Sequence, residues 1–183
     1  MAQILSLIAQ LIFASLFFFL CIAFVSGAPF VPSKKSASEA MIRLAKIKAG
    51  THVYDLGSGD GRLLVMSAKQ GARAVGFEIN PYLVLLTRIR AFFGHYRGSV
   101  RVFWSNLWKA PISDADVVFV YLLPWRMEEL ANKLTREVKP GTLIISNSFI
   151  FPNWKIFDKD EINHIYAFRI PINTLDLLLI NPH

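Results

Sequence analysis

The chain has 183 residues, of which 54% are hydrophobic, and a formal net charge of +7 at pH 7. That length suits one folded domain. The single cysteine, Cys21, excludes an intrachain disulfide and any cysteine-built metal site, and His52, His95, His164 and His183 show no ligand spacing, so no metal is expected.

Residues 4–25 carry no charge, and only Gln10 and a few small polar residues interrupt a run of Leu, Ile and Phe. Such a run makes about 33 Å of helix, enough to cross a hydrocarbon core of about 30 Å. This predicts a transmembrane anchor over residues 1–28, ahead of a domain over 29–183. A cleaved signal peptide is the competing reading. Against it, no basic residue opens the run, and Pro29 follows the only small-residue site, Ser26-Gly27-Ala28. Lys34, Lys35, Arg43, Lys46 and Lys48 follow the apolar run, and no Lys or Arg precedes it. The positive-inside rule then expects a single-pass membrane protein with its domain in the cytoplasm, or in the matrix of a mitochondrion.

Pro29-Phe30-Val31-Pro32-Ser33 reads as a stiff extended linker, because each proline disfavours helix for the residue before it. Ser36 with Glu39 three residues on predicts a capping box. The helix it opens would bury Ala40, Met41 or Ile42, Leu44 and Ile47, and end at Gly50. Residues 52–56 read as a buried strand that breaks into Gly57-Ser58-Gly59-Asp60-Gly61, followed by a helix over 62–69. A second strand, 74–77, ends at Glu78, 17 residues after Gly61. Asn80 then caps, and Pro81 starts, a helix to about Phe93.

Strands follow at 100–104 and 117–122, a helix at 125–138, a turn at Lys139-Pro140-Gly141 and a strand at 142–146. Residues 162–170 and 175–180 read as two final strands paired as a hairpin. Alternating strands and helices imply a mostly parallel sheet covered on both faces, with ligands bound at the carboxyl ends of the strands. Asp55, Glu78, Asn106 and residues 122–124 all fall at such ends.

The glycine turn suits a ligand that lies against bare amides at a helix start. A dinucleotide fingerprint would place its third glycine at position 62, which is Arg62. Here the spacing is G-x-G-x-G, with Asp55 two residues ahead and Glu78 where a ribose-binding carboxylate belongs. That pattern resembles the class I S-adenosylmethionine (SAM) methyltransferases, and implies their Rossmann-like seven-stranded α/β fold.

The resemblance becomes closer when further segments are added. Pro29-Phe30-Val31-Pro32, Ala74-Val75-Gly76-Phe77-Glu78-Ile79-Asn80-Pro81, Ser105-Asn106-Leu107-Trp108-Lys109 and Lys139-Pro140-Gly141-Thr142 accompany the glycine turn. Together they are similar to the protein-lysine methyltransferases that act on ATP synthase c-subunit and adenine nucleotide translocase in mitochondria, and to compact archaeal protein-lysine methyltransferases.

By that resemblance Asp55, Gly57, Ser58, Gly59 and Gly61 would floor the methionine part of SAM. Glu78 would accept both ribose hydroxyls, and Asn106 with Leu107 would meet the adenine. The family usually has Asp at the position of Asn106. Arg62 would cap or pair near the cofactor, or stand as a solvated residue at the helix start. Tyr121, Leu122, Pro124 and Trp125 would form the substrate end, with Tyr121 and Trp125 as an apolar sleeve around a lysine side chain. The Asn/Asp-Pro-Pro-Tyr/Phe signature of amide and base-amine methylation is missing there.

The partner expected is a membrane-associated protein offering a lysine, beside the bilayer that holds the anchor. Lipid or quinone methylation and a catalytically silent scaffold are the rival readings. Residues 79–113 carry Arg88, Arg90, Arg97, Arg101 and Lys109 without one acid. Anionic headgroups beside a tethered domain explain this better than nucleic acid, which is a less natural partner for an anchored chain.

Overall fold

The computed structural model describes residues 1–28 and 30–171. Helix α1 (Ala2–Ser26) is followed by α2 (Lys35–Ala45), β1 (His52–Leu56), α3 (Arg62–Ala68), β2 (Arg73–Glu78) and α4 (Pro81–Phe93). Then come β3 (Val100–Trp104), β4 (Val117–Val120), α5 (Met127–Glu137), β5 (Leu143–Asn147), β6 (Asp158–Asp160) and β7 (Ile165–Arg169). The strands form one sheet in the order β3-β2-β1-β4-β5-β7-β6. β1 to β5 are parallel, and β7 runs antiparallel to both β5 and β6. This is the α/β architecture expected from the alternating pattern.

The period-2 geometry of the strands sends alternate residues to two cores. Val53, Val117, Phe119, Leu143 and Ile145 pack with Met41, Leu44 and Leu64 from the helices of one face. Leu56, Val118, Val120 and Ile144 pack with Leu130, Leu134 and Phe168 on the other. Strand β4 is buried at all four positions, which is why it reads as an unbroken apolar run.

Several boundaries differ from the sequence expectation. α2 starts at Lys35 and has no side-chain cap, so Ser36 and Glu39 do not form a capping box. The chain enters the helix early because Ser33 is pinned on both sides: Arg62 Nη1 donates to its carbonyl at 2.9 Å, and Asn147 Nδ2 donates to its hydroxyl at 3.1 Å. The helix ends at Lys46 in a left-handed conformation (φ 48), ahead of Gly50, since Ile47 must turn into the core. β4 stops at Val120, and a 3₁₀ turn, Pro124–Arg126, precedes α5.

β7 falls within the strand expected at 162–170, and an antiparallel hairpin joins it to β6, a strand absent from the sequence expectation. β6 lies before β7, and Ile162 sits in the turn between them. The strand expected at 175–180 lies outside the described residues. Asp158-Lys159-Asp160 carries no apolar signal because β6 is an edge strand held by charge. Arg43 pairs with Asp160, and Lys46 with Asp158 at 3.5 Å.

α1 is long and apolar enough to cross a membrane, with a mean hydropathy of 2.6 and 6% of its most apolar window buried. Its carboxyl-terminal half rests on the domain. Tyr82 Oη donates to Ser15 Oγ at 2.9 Å, and the Phe24 and Trp125 rings lie 5.8 Å apart. Leu123 N donates to the Gly27 carbonyl at 2.8 Å. Gly27 adopts φ 88, and a Cβ there would come within 2.3 Å of Arg126 Cγ.

Gly27→Val is therefore expected to cost more than Gly50→Val, whose glycine has φ 83 but no neighbour within 4 Å. Both pay about 1–2 kcal/mol for the left-handed backbone, roughly 2–8 °C in Tm for a chain of this size. Only the first also breaks the docking of α1. Equal losses in thermal melts of the full chain would show that the Gly27–Arg126 contact contributes nothing.

Candidate active site

The loops after the parallel strands build a cleft along one edge of the sheet. After β1 the backbone turns at Gly57 (φ 92) and Gly59 (φ 53), conformations that glycine adopts without strain. Gly57 N and Ser58 N both donate to the Phe77 carbonyl, at 2.9 and 3.1 Å. Gly59 N donates to Glu78 Oε2 at 2.9 Å, and Asn80 N to Glu78 Oε1 at 2.8 Å. The buried Glu78 carboxylate thus ties the end of β2 to the glycine turn.

Asp55, Gly57, Ser58, Gly59, Glu78 and Tyr121 line one pocket of the cleft, together with Phe30 and Arg62. Gly57, Glu78, Asn106 and Leu107 line a second. Ala28 borders both, and a Cβ on Gly57 would lie 3.3 Å from the Ala28 Cβ. The two pockets are halves of one cleft, divided by the linker. They measure about 60 and 10 Å³, room for a few waters at most. Small-molecule and cofactor sites run to several hundred Å³, so a nucleoside-sized ligand requires Ala28 and Phe30 to swing away from the glycines.

Electrostatically the cleft is acidic, and its carboxyl groups are buried. Burial pushes the Asp55 carboxyl up to about 8, helped by the nearby Glu78 and Asp60. Burial also raises Glu78, opposed by the backbone donors at Asn80, Gly59 and Ile79. Such a carboxyl favours a cationic ligand group that lets it ionise. Ser58 Oγ is buried without a hydrogen-bond partner among the described residues, so a polar atom in the cleft has yet to be satisfied.

Gly61, Leu122, Pro124 and Trp125 lie outside the two pockets, whereas Tyr121 and Asn106 line them and also make local contacts. The Cα of Gly61 faces Thr87, where a Cβ would approach to 2.4 Å; this glycine serves the packing of α4 and does not line the cleft. Leu122 is 1% exposed and belongs to the core. Pro124 opens the 3₁₀ turn, and Trp125 meets Phe24 of α1. Tyr121 instead stacks on Phe149, with centroids 6.4 Å apart. Asn106 Oδ1 accepts from Trp108 N at 3.0 Å, capping the 3₁₀ turn Leu107–Lys109.

Phe30, Ser33, Asn147 and Phe149 are site neighbours that the sequence does not single out. The available signal for Phe30 is the segment Pro29-Phe30-Val31-Pro32, which accompanies the glycine turn in the resemblance. Arg62 holds the linker at Ser33, and its backbone N donates to Asp60 Oδ1 at 3.2 Å.

A family model for the ANTKMT methyltransferase domain matches residues 55–158. The human ATP synthase c-subunit lysine N-methyltransferase is 38% identical over 126 residues, covering 69% of this chain and 54% of that protein. A protein-lysine N-methyltransferase of Saccharolobus islandicus (strain REY15A) is 33% identical over 156 residues, covering 81% of this chain and 97% of the relative. The crystal structure of an RNA methyltransferase from Salinibacter ruber, in complex with S-adenosyl-L-homocysteine, aligns with a TM-score of 0.75. That protein is 35% identical, and the match covers 78% of this chain and 95% of that one. The chain spans about half the length of the mammalian c-subunit lysine N-methyltransferases it matches.

The residues present fit that cofactor chemistry: a buried acid suited to a cation, a carboxylate at the strand end suited to hydroxyl donors, and bare glycines beneath. Matched over more than half its length by the family model and over nearly all of the archaeal relative, the chain belongs to the ANTKMT methyltransferase domain family, and its fold is that of the SAM-dependent methyltransferases.

Proposed function

We propose that this chain methylates the Nζ of a lysine in a membrane-associated protein, with α1 as its membrane tether. The observation that carries the reading is the match to an archaeal protein-lysine N-methyltransferase over 97% of that protein's length. The exit of β4 supports it: Tyr121-Leu122-Leu123-Pro124 is apolar and aromatic, and lacks the amide acceptors that a planar amide or base amine needs.

In this reading Asp55 faces the ammonium of SAM, Glu78 accepts its ribose hydroxyls, and Asn106 and Leu107 border the adenine. SAM supplies a methyl group on a positive sulfonium. The stacked pair Tyr121 and Phe149 holds the apolar stem of the incoming lysine. A free lysine has a pKa of about 10.4, and burial at the cleft mouth favours the neutral amine that can attack. Alignment of the reacting atoms at about 3 Å then supplies much of the rate, without a dedicated base.

Asn106→Asp keeps the cap on Trp108 N and adds a charge toward the adenine amino group. It is expected to tighten SAM binding about fivefold, the difference of about 1 kcal/mol between a neutral and a charge-assisted hydrogen bond. An unchanged Kd by calorimetry would leave Asn106 as a cap alone.

RNA methylation is the second reading, favoured by the Salinibacter structure and the net charge of +7. The full chain, with tritiated SAM and membrane extracts still containing RNA, separates the two. Label in a protein band that disappears with Glu78→Ala supports the lysine reading. Label in the RNA fraction establishes the second, and label in extracted lipid alone sinks both.

A further inference from the structure

Tyr82, Leu85, Leu86, Ile89, Phe92 and Phe93 recur at helical spacing along α4 and form one stripe. All six are exposed, from 41% for Tyr82 and Leu86 to 74% for Phe93. The opposite side of the helix, Val84, Thr87 and Ala91, is buried. Trp104, 63% exposed, extends the patch while its Nε1 donates to the Ile79 carbonyl at 2.9 Å. A contiguous apolar face of this kind on a folded domain marks an interaction surface.

Its surroundings are cationic. Arg88, Arg97 and Arg101 are exposed and have no ion pair among the described residues, whereas Arg90 is engaged by Asp60 at 2.9 Å. The Arg97 guanidinium lies over the Phe92 ring, 4.9 Å from its centroid, so charge and apolar surface are interleaved. No acid occurs from position 79 to 113. An apolar stripe edged by arginines complements an anionic lipid surface.

The stripe is also continuous with α1. Tyr82, its first residue, bonds Ser15 and lies edge-on to Phe19, with centroids 6.2 Å apart. From Ser15 to Gly27 α1 stays against the domain, a length of about 18 Å. The remaining residues, 2–14, make only about 20 Å of helix, short of a hydrocarbon core of about 30 Å. In this arrangement the free part of α1 can insert fully into a bilayer only if the rim holding Tyr82 itself sits within the interface.

We infer that the outer face of α4 lies in the headgroup region of an anionic bilayer, with its apolar stripe inward and Arg88, Arg97 and Arg101 at phosphate level. This rests on the tether reading above. It places the cleft mouth, which shares the rim with Tyr82 and Trp125, at the height where a membrane protein presents an interfacial lysine.

The full chain carrying Cys21→Ser and one reporter, Phe13→Cys, Phe93→Cys or Arg136→Cys, is labelled with an environment-sensitive fluorophore. It is reconstituted into vesicles of acyl-brominated phosphatidylcholine, with or without phosphatidylglycerol. Fluorescence should be lost at Phe13→Cys and at Phe93→Cys, the latter more strongly with phosphatidylglycerol, and retained at Arg136→Cys on the opposite face. Loss at Phe13→Cys without loss at Phe93→Cys overturns the inference and leaves the tether standing. No loss at either position overturns both. A blue-shifted but unquenched label at Phe93→Cys assigns the stripe to a second copy or another protein, and also overturns the inference.

Discussion

Replacing Glu78 with alanine is expected to raise the Kd for SAM by about 10²–10⁴-fold and to remove methyl transfer. The proposed contact is two hydrogen bonds from ribose hydroxyls to one buried carboxylate. A hydrogen bond to a charged group is worth about 1.5–3 kcal/mol, so losing both costs about 3–6 kcal/mol of binding. The same carboxylate accepts from Gly59 N and Asn80 N. Alanine leaves those two donors bare, at about 1–3 kcal/mol each if they stay buried, and the melting temperature should fall as well.

Glu78→Gln separates the two effects. An amide offers one acceptor oxygen, so it restores part of the turn and part of the stability. It lacks the charge and the second acceptor, and SAM binding should remain at least about tenfold weaker. A Glu78→Gln variant that binds SAM as tightly as the wild type would remove the ribose assignment.

Asp55→Asn should move stability and cofactor affinity in opposite directions. The Asp55 carboxyl sits at about 8 in the folded chain against an ordinary 3.8. The folded state therefore holds a proton that the unfolded state releases between those values. By linkage, stability falls as pH rises from about 4 to about 8 and is level outside that window. A shift of this size corresponds to at most about 6 kcal/mol. Asparagine removes the slope, so Asp55→Asn should melt near the wild-type temperature at pH 4 and clearly above it at pH 8.

Affinity follows the opposite sign. A cationic ligand group needs the ionised carboxylate, so wild-type SAM binding should strengthen by up to tenfold per pH unit toward about pH 8. Asp55→Asn should bind weakly at every pH. Thermal melts and calorimetry across that range check both halves. A wild-type affinity flat from pH 6 to 8 would place the cation away from Asp55.

Much of the glycine-floored cleft was legible because its signals are local. A strand that breaks at Gly57 and Gly59 must turn there. Glu78 falls one strand later, so parallel pairing of Asp55 with Gly76 brings the two acids to one rim. The charge-held strand β6 and the shift of α2's start were not legible. One depends on Arg43 and Lys46 reaching Asp160 and Asp158, and the other on Ser33 being pinned from β5 and α3. Nor was the role of Gly61, whose missing Cβ is required by Thr87 from the next helix, α4.

The order of apolar runs, the glycine spacing and the acid at each strand end determined a parallel sheet with an acidic, glycine-floored cleft, because strand period, turn geometry and helix length depend on neighbours in sequence. Which aromatic ring meets which was decided only by tertiary packing. Tyr121 pairs with Phe149 across β4 and β5, and Trp125 turns to α1. The linker lies in the cleft, and α4 keeps its apolar stripe on the outside, because both placements depend on how distant elements fit against one another and no local pattern encodes that fit.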